Sequence, residues 1–138
     1  MEFSGLDIDH ITSKIIKNRY LGIESQEIPE KELWYLVQTA EAHIAQDPII
    51  LDLASPITIV GTTDGDSHSL LTIFEYGGLP PDVRYLFLGN FIGDHKDNLP
   101  SLLLLLSFKI KYPQHIYFLK GKNEWMLTDV KNIFFYEC

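Results

Sequence analysis

Three short apolar runs in the chain, ITIVG (Ile57 to Gly61), YLFLG (Tyr85 to Gly89) and IYFLKG (Ile116 to Gly121), each break at once into a polar turn. The turns read GTTDG (Gly61 to Gly65), GNFIGDH (Gly89 to His95) and GKNE (Gly121 to Glu124). α/β proteins bind their ligands outside the carboxyl ends of the strands, so three such ends predict one shared candidate site.

Between and before these runs the apolar period lengthens. Ile8, Ile11 and Ile15 recur at three- and four-residue spacing and predict an amphipathic helix over Asp7 to Tyr20, stopped near Gly22, with Lys14, Lys17 and Arg19 late in it to suit the helix dipole. A second helix is predicted from Pro29 to before Pro48, with Glu30 and Glu32 in its first turn and Leu33, Val37, Ala40 and Ile44 as its buried stripe. Trp34 and Tyr35 are expected to pack, and His10 and His43 to lie on helix surfaces. Ile49 to Leu53 and Ile57 to Gly61 read as strands around Ser55-Pro56, the second buried on both faces because it lacks polar alternation. Ser67 to Tyr76 reads as a helix with Leu70, Leu71 and Phe74 inward, closing at Gly77-Gly78 before Pro80-Pro81. Arg84 to Gly89 is the next strand, Asn98 to Tyr112 the next helix and Ile116 to Lys120 the last strand; a further helix fits after Glu124, and the chain stops at FFYEC. This alternation predicts an α/β fold with a parallel sheet and right-handed crossovers.

At 138 residues with ordinary apolar content, the chain reads as one folded domain. Its net charge of -8 repels phosphate polymers, and its basic residues are scattered, which excludes a nucleic-acid or anionic-membrane surface. The longest apolar run, LLLLLSF, is too short for a membrane span. The single cysteine, Cys138, permits no internal disulfide, and MEFSGLDIDH lacks the basic and apolar regions of a signal peptide. The expected location is intracellular, cytoplasmic or nuclear.

Longer strings add a resemblance. DPIILDLASP, LLTIFEYGGLPP, YLFLGNFIG, LLLLLSFKIKYPQHIYFLKGKNE and FFYEC make the chain resemble the metal-dependent serine/threonine phosphoprotein phosphatases, the PPP family, most closely the type 1 catalytic subunits. The resemblance implies the N-terminal half of a calcineurin-like metallophosphoesterase fold: one truncated domain over residues 1–138, with a helical part over 1–48 and a βαβαβ part over 49–138.

The family's loops read GD-x-HG, GD-x-x-DRG and GNHE and hold two divalent metals, such as Mn, Fe or Zn, roughly 3.5–4 Å apart around an attacking water. On this chain the implied metal-ligand positions fall on Thr62, Asp64, Asn90 and Lys122, the general-acid His on Asn123, and the second-loop Asp and Arg on Gly93 and Asp94. Of the active side chains of the motif only Glu124 is retained. Thr62 and Asn90 are neutral, Lys122 brings an ammonium to a metal position, and Asp94 repels the phosphate that an Arg would clasp. Asn123 has no proton to give near neutral pH.

The resemblance therefore implies a phosphatase-like protein without catalysis or cofactor, acting by binding a partner. Two alternatives stay open: a weak or residual metal-dependent phosphatase, and a non-functional fragment of a longer one. In the family a second sheet covers the strands, so Ile57, Ile59, Leu86, Leu88, Tyr117 and Leu119 are expected to lie uncovered and to drive self-association or recruitment of a protein partner.

Other polar residues have rival readings. Asp64, Asp66, His68 and Glu75 are spaced partly like a calcium loop, but Ser69 stands where that loop needs Gly, and Asp66 with Ser67 reads better as a helix cap. Asp94, His95 and Asp97 read as a solvated loop. Lys122 is expected to pair with Asp64 or Asp94 inside the old metal cavity. Failing that, Asp64, Asp94 and Glu124 would line a cleft for a basic peptide.

Overall fold

The run LLLLLSF is apolar on every side because the helix it forms is surrounded. In the computed structural model, which describes residues 7–21 and 28–125, this run lies in Asn98–Lys111. The elements in order are α1 (Ile8–Leu21), α2 (Glu30–Ile44), β1 (Thr58–Val60), α3 (Ser67–Gly77), β2 (Tyr85–Phe87), α4 (Asn98–Lys111), β3 (Ile116–Phe118) and α5 (Lys122–Trp125). α4 packs against α1, α2, α3 and β3 and buries Leu103, Leu104, Leu105 and Phe108. A helix without a polar face is stable only when enclosed in this way.

The strands form a parallel sheet in the order β1-β2-β3, with Ile59 opposite Leu86 and Leu86 opposite Tyr117. On one face Val60, Tyr85, Phe87 and Ile116 are buried under the helices. Phe74 of α3 meets Tyr85 and Phe108 edge-on, with ring centroids 5.3 and 5.0 Å away. On the other face Ile59, Leu88 and Leu119 are exposed, at 62%, 46% and 41%, and nothing among the described residues covers them. This is the α/β arrangement that the segment order predicts, with two helices leading into alternating strands and helices.

Several local expectations are corrected. Ile49 to Leu53 is not a strand; Ile49 and Ile50 project into solvent while Leu51 and Leu53 are half-buried, because no neighbouring strand pairs with this segment. Arg84 fixes the chain just after Leu53, its Nη2 donating to the carbonyls of Ala54 at 2.5 Å and Pro56 at 3.2 Å. β1 is an edge strand with one buried face, since Val60 points inward and Ile59 outward. The buried stripe of α2 centres on Leu36 and Ala40, with Leu33 at its margin, and Val37, Ile44, Trp34 and Tyr35 are exposed. α2 is apolar over a wider arc than its contact with α4 can cover. The expected stop at Gly22 and the terminal FFYEC, with Cys138, lie outside the described residues.

α3 begins as the cap reading expects. Asp66 accepts from the backbone N–H of His68 at 3.0 Å and from Ser69 Oγ at 2.5 Å. The Ser67 hydroxyl adds no cap bond; it is buried without a partner among the described residues. Burial pushes the Asp66 carboxyl up, but the bonds from the Ser69 hydroxyl, the Ser69 and His68 N–H groups and the charge of His95 together bring it below the ordinary value of 3.8. A depressed carboxyl stabilises the fold above its unfolded pKa and loses that contribution as pH falls through the folded one. Asp66→Asn, which keeps an acceptor but no charge, is therefore expected to be somewhat less stable than the parent at pH 7 and to flatten the loss of thermal stability below about pH 4, where the two converge. Thermal melts of both proteins between pH 6 and 2 measure this; parallel curves through the acid range would refute it.

Candidate functional site

Three parallel strands in sequential order set the turns that follow them side by side, with the turn after β2 in the middle. The central turn is the hub. Gly89 has φ +102°, and a Cβ there would lie 2.2 Å from the Gly121 nitrogen, so this backbone passes hard against the third turn. Asn90 follows at φ +56° and Asp64 of the first turn sits at φ +46°; Asn and Asp are the side chains that best tolerate this left-handed region.

Glu124 binds the second and third turns together. Its Oε2 accepts from the N–H groups of Asn90 at 2.9 Å and Gly121 at 2.8 Å, and its Oε1 accepts from that of Phe91 at 2.8 Å. The side chain of Asn90 closes the circuit, its Oδ1 accepting from the Asn123 N–H at 3.0 Å. Asn123 Nδ2 donates to the Ile92 carbonyl at 2.6 Å and reaches Asp64 Oδ1 at 3.5 Å. The first turn is held by its backbone, through Asp64 N–H to Asn90 O at 2.9 Å, with a long contact from Thr62 Oγ1 to the same oxygen at 3.4 Å.

The structure thus gathers Asp64, Asn90, Asn123 and Glu124 into one network and leaves the other candidates at its rim. Thr62, Lys122 and Asp94 are exposed. Lys122 forms no ion pair with Asp64 or Asp94 among the described residues, which corrects that expectation: the neighbouring Asn123 amide takes the Asp64 contact, and the ammonium stays in water, where its solvation is retained. Glu124 is not part of an acidic lining either, since both its oxygens are spent on backbone N–H groups.

Asn98, which sequence reasoning passed over, has a structural role equal to that of the motif residues. Fully buried at the start of α4, it accepts from the Gly93 N–H at 2.7 Å and donates to the carbonyls of Gly93, at 3.0 Å, and His95. An Asn at the first position of an apolar helix was the available signal, because such residues bond to the turn before them.

A two-metal centre does not fit these residues. Of the four implied ligand positions only Asp64 offers a carboxylate, and the Asn90 side-chain oxygen is already bonded to a backbone N–H. The second turn has also closed onto the first: a Cβ at Gly93 would lie 2.7 Å from the Asp64 carbonyl oxygen and 2.8 Å from its Cβ, so a side chain there would require one turn to move. Among the described residues no group of three or more His, Cys, Asp or Glu side chains could hold a metal ion. The implied general-acid position holds Asn123, whose amide donates to the Ile92 carbonyl, and Asp66, the central residue of the calcium-loop reading, is occupied as a helix cap.

No protein-family model matches the chain. In three dimensions it is similar to a serine/threonine phosphatase from Saccharomyces cerevisiae described as similar to human phosphatase PP5, with a TM-score of 0.73 and 22% identity over 86% of this chain. The match spans 41% of the yeast chain, less than half its length. The fold is therefore part of the PPP phosphatase fold, with the two N-terminal helices and the alternating strands and helices in their places. No described helix is long and apolar enough to cross a membrane.

Proposed function

We propose that this chain is a pseudophosphatase: a PPP-like protein that hydrolyses no phosphoester and acts inside the cell by binding a protein partner. The observation that carries the reading is the Asn90, Asn123 and Glu124 network. It fills with amides and backbone bonds the place where the family resemblance would put metal ligands and a general acid. Amides neither titrate near pH 7 nor balance the charge of paired dications, so neither the acid nor the metal-bound nucleophile has a counterpart here.

Two measurements test this. Elemental analysis after dialysis is expected to find no stoichiometric Mn, Fe or Zn. Hydrolysis of phosphopeptides and of small aryl phosphates is expected to remain at buffer background with manganese added. About two metals per chain, with turnover that follows manganese, would instead establish the residual phosphatase reading.

The uncovered sheet face supports a binding role. Ile59, Leu88 and Leu119 are exposed there, and Leu86 and Tyr117 continue the row half-buried. A contiguous apolar surface of this kind favours association, and the simplest occupant is a second copy of the chain. Light scattering over a micromolar dilution series is expected to give a mass above the 15.9 kDa of one chain, falling to it in Ile59→Lys/Leu88→Lys. A monomer at all concentrations would remove self-association from the proposal.

A further inference from the structure

α2 presents a second apolar edge that the core does not use. Trp34, Val37 and Ile44 are exposed at 63%, 46% and 36% and follow one helical stripe with Glu41 between the last two. Beside this stripe, between α2 and α4, runs a groove of about 310 Å³ lined by Val37, Ala40, Glu41, Ile44, Ala45 and Leu106. Its lining surface is wholly apolar; Glu41 contributes its aliphatic stem, and its exposed carboxylate, which has no ion-pair partner among the described residues, stands at the rim. The groove lies on the helical layer, away from the strand-end turns, so it does not depend on what those turns do.

We propose that this groove docks a basic amphipathic helix of a partner protein. Helix-in-groove recognition sets apolar side chains at i, i+3, i+4 and i+7 into a trough such as the one between Val37, Ile44 and Leu106. Charge selects the partner. Glu41 lines the groove through its aliphatic stem and carries its exposed carboxylate at the rim, and the net charge of -8 attracts cations and repels an acidic helix. An Arg or Lys at the edge of the incoming apolar stripe would meet Glu41 while its neighbours fill the trough. The exposed Trp34 beside the groove offers the kind of large aromatic surface on which binding energy concentrates.

The probe is a synthetic helical peptide of about 15 residues with leucines at those spacings and flanking arginines. It is titrated into the full chain carrying Trp125→Phe, so that Trp34 alone reports. The expected result is a saturable blue shift of Trp34 emission, weakened about tenfold or more by Glu41→Lys and by Val37→Asp and unchanged by Ile59→Lys on the sheet face. Val37→Gln provides a milder groove variant if Val37→Asp fails to fold, as judged by circular dichroism. The proposal is overturned by no saturable shift, by equal binding of a peptide with glutamates in place of the arginines, or by groove variants that bind as the parent does. It is also overturned if the chain dimerises through this face and Val37→Gln abolishes the dimer, since the occupant would then be a second copy. Loss of peptide binding would leave the non-catalytic reading intact, and detection of hydrolysis would leave the groove intact.

Discussion

Lys109→Met is expected to destabilise the chain by about 3–5 kcal/mol, the usual consequence of removing one partner from a buried ion pair. Lys109 is completely buried in α4, its ammonium 2.7 Å from Asp47 Oδ2, 3.0 Å from the carbonyl of Pro113 and 2.9 Å from that of Ile116. All three donor protons of the ammonium are thus used, and the Tyr117 ring lies 5.1 Å from it. Methionine fills the volume but leaves two carbonyls and a carboxylate without their donor. Asp47, 22% exposed, recovers some solvation from water, which sets the expectation toward the lower end of the range. A domain of this size has a total stability of about 5–15 kcal/mol, so the loss is a large share of the whole. Urea denaturation measures the loss, and a second variant, Asp47→Asn, should cost less because an amide oxygen still accepts. A Lys109→Met protein within about 1 kcal/mol of the parent would show that the pair is energetically idle. The consequence reaches the site, because this one ammonium ties the segment after α2 to the start of β3 and so fixes where the GKNE turn emerges.

Periodicity was enough to locate α1 to α4 and the three paired strands, because α4 and the strands are buried on a scale that sequence spacing reports, whereas α5 begins at Lys122, inside the stretch read as a turn and ahead of the helix expected after Glu124. It failed where an apolar run has no partner. Ile49 and Ile50 look like strand residues, but a strand exists only through the ladder it joins, and no ladder reaches them. Val37 and Ile44 look like core residues, but α2 touches α4 through Leu36 and Ala40, and a pattern in one helix does not say where its neighbour lies. The poor fit of Thr62, Asn90 and Lys122 to a pair of dications was legible residue by residue, since charge and ligand type are properties of the side chain alone. The hydrogen-bond network that these turns form was not. The choice of Asn123 rather than Lys122 as the neighbour of Asp64 depends on backbone direction at the start of α5, and the anchoring role of Asn98 depends on a turn folded back onto a helix end.

Glu124→Ala is expected to cost about 2–4 kcal/mol, and the damage should be confined first to the turns. One carboxylate accepts from three backbone N–H groups, those of Asn90, Phe91 and Gly121, and hydrogen bonds to a charged acceptor are worth about 1.5–3 kcal/mol each before water replaces any of them. The half-buried position of Glu124 lets water recover part of that sum, so the net falls well below three full bonds. Glu124→Gln should lie between the two, because its amide keeps one acceptor oxygen and turns an N–H toward backbone donors on the other side. Amide hydrogen exchange distinguishes this from general destabilisation: the Asn90, Phe91 and Gly121 N–H groups should exchange faster in Glu124→Ala under native conditions, while Leu104 and Leu105 in α4 change only by the global loss. If stability and the exchange of those three amides both stay at the parent level, Glu124 is not the clamp that its geometry describes. If they change as expected, the one motif carboxylate retained from the phosphatase pattern is retained for backbone architecture. Its hydrogen bonds hold the left-handed turn at Asn90 against the third turn, a task that needs neither a metal nor a proton donor.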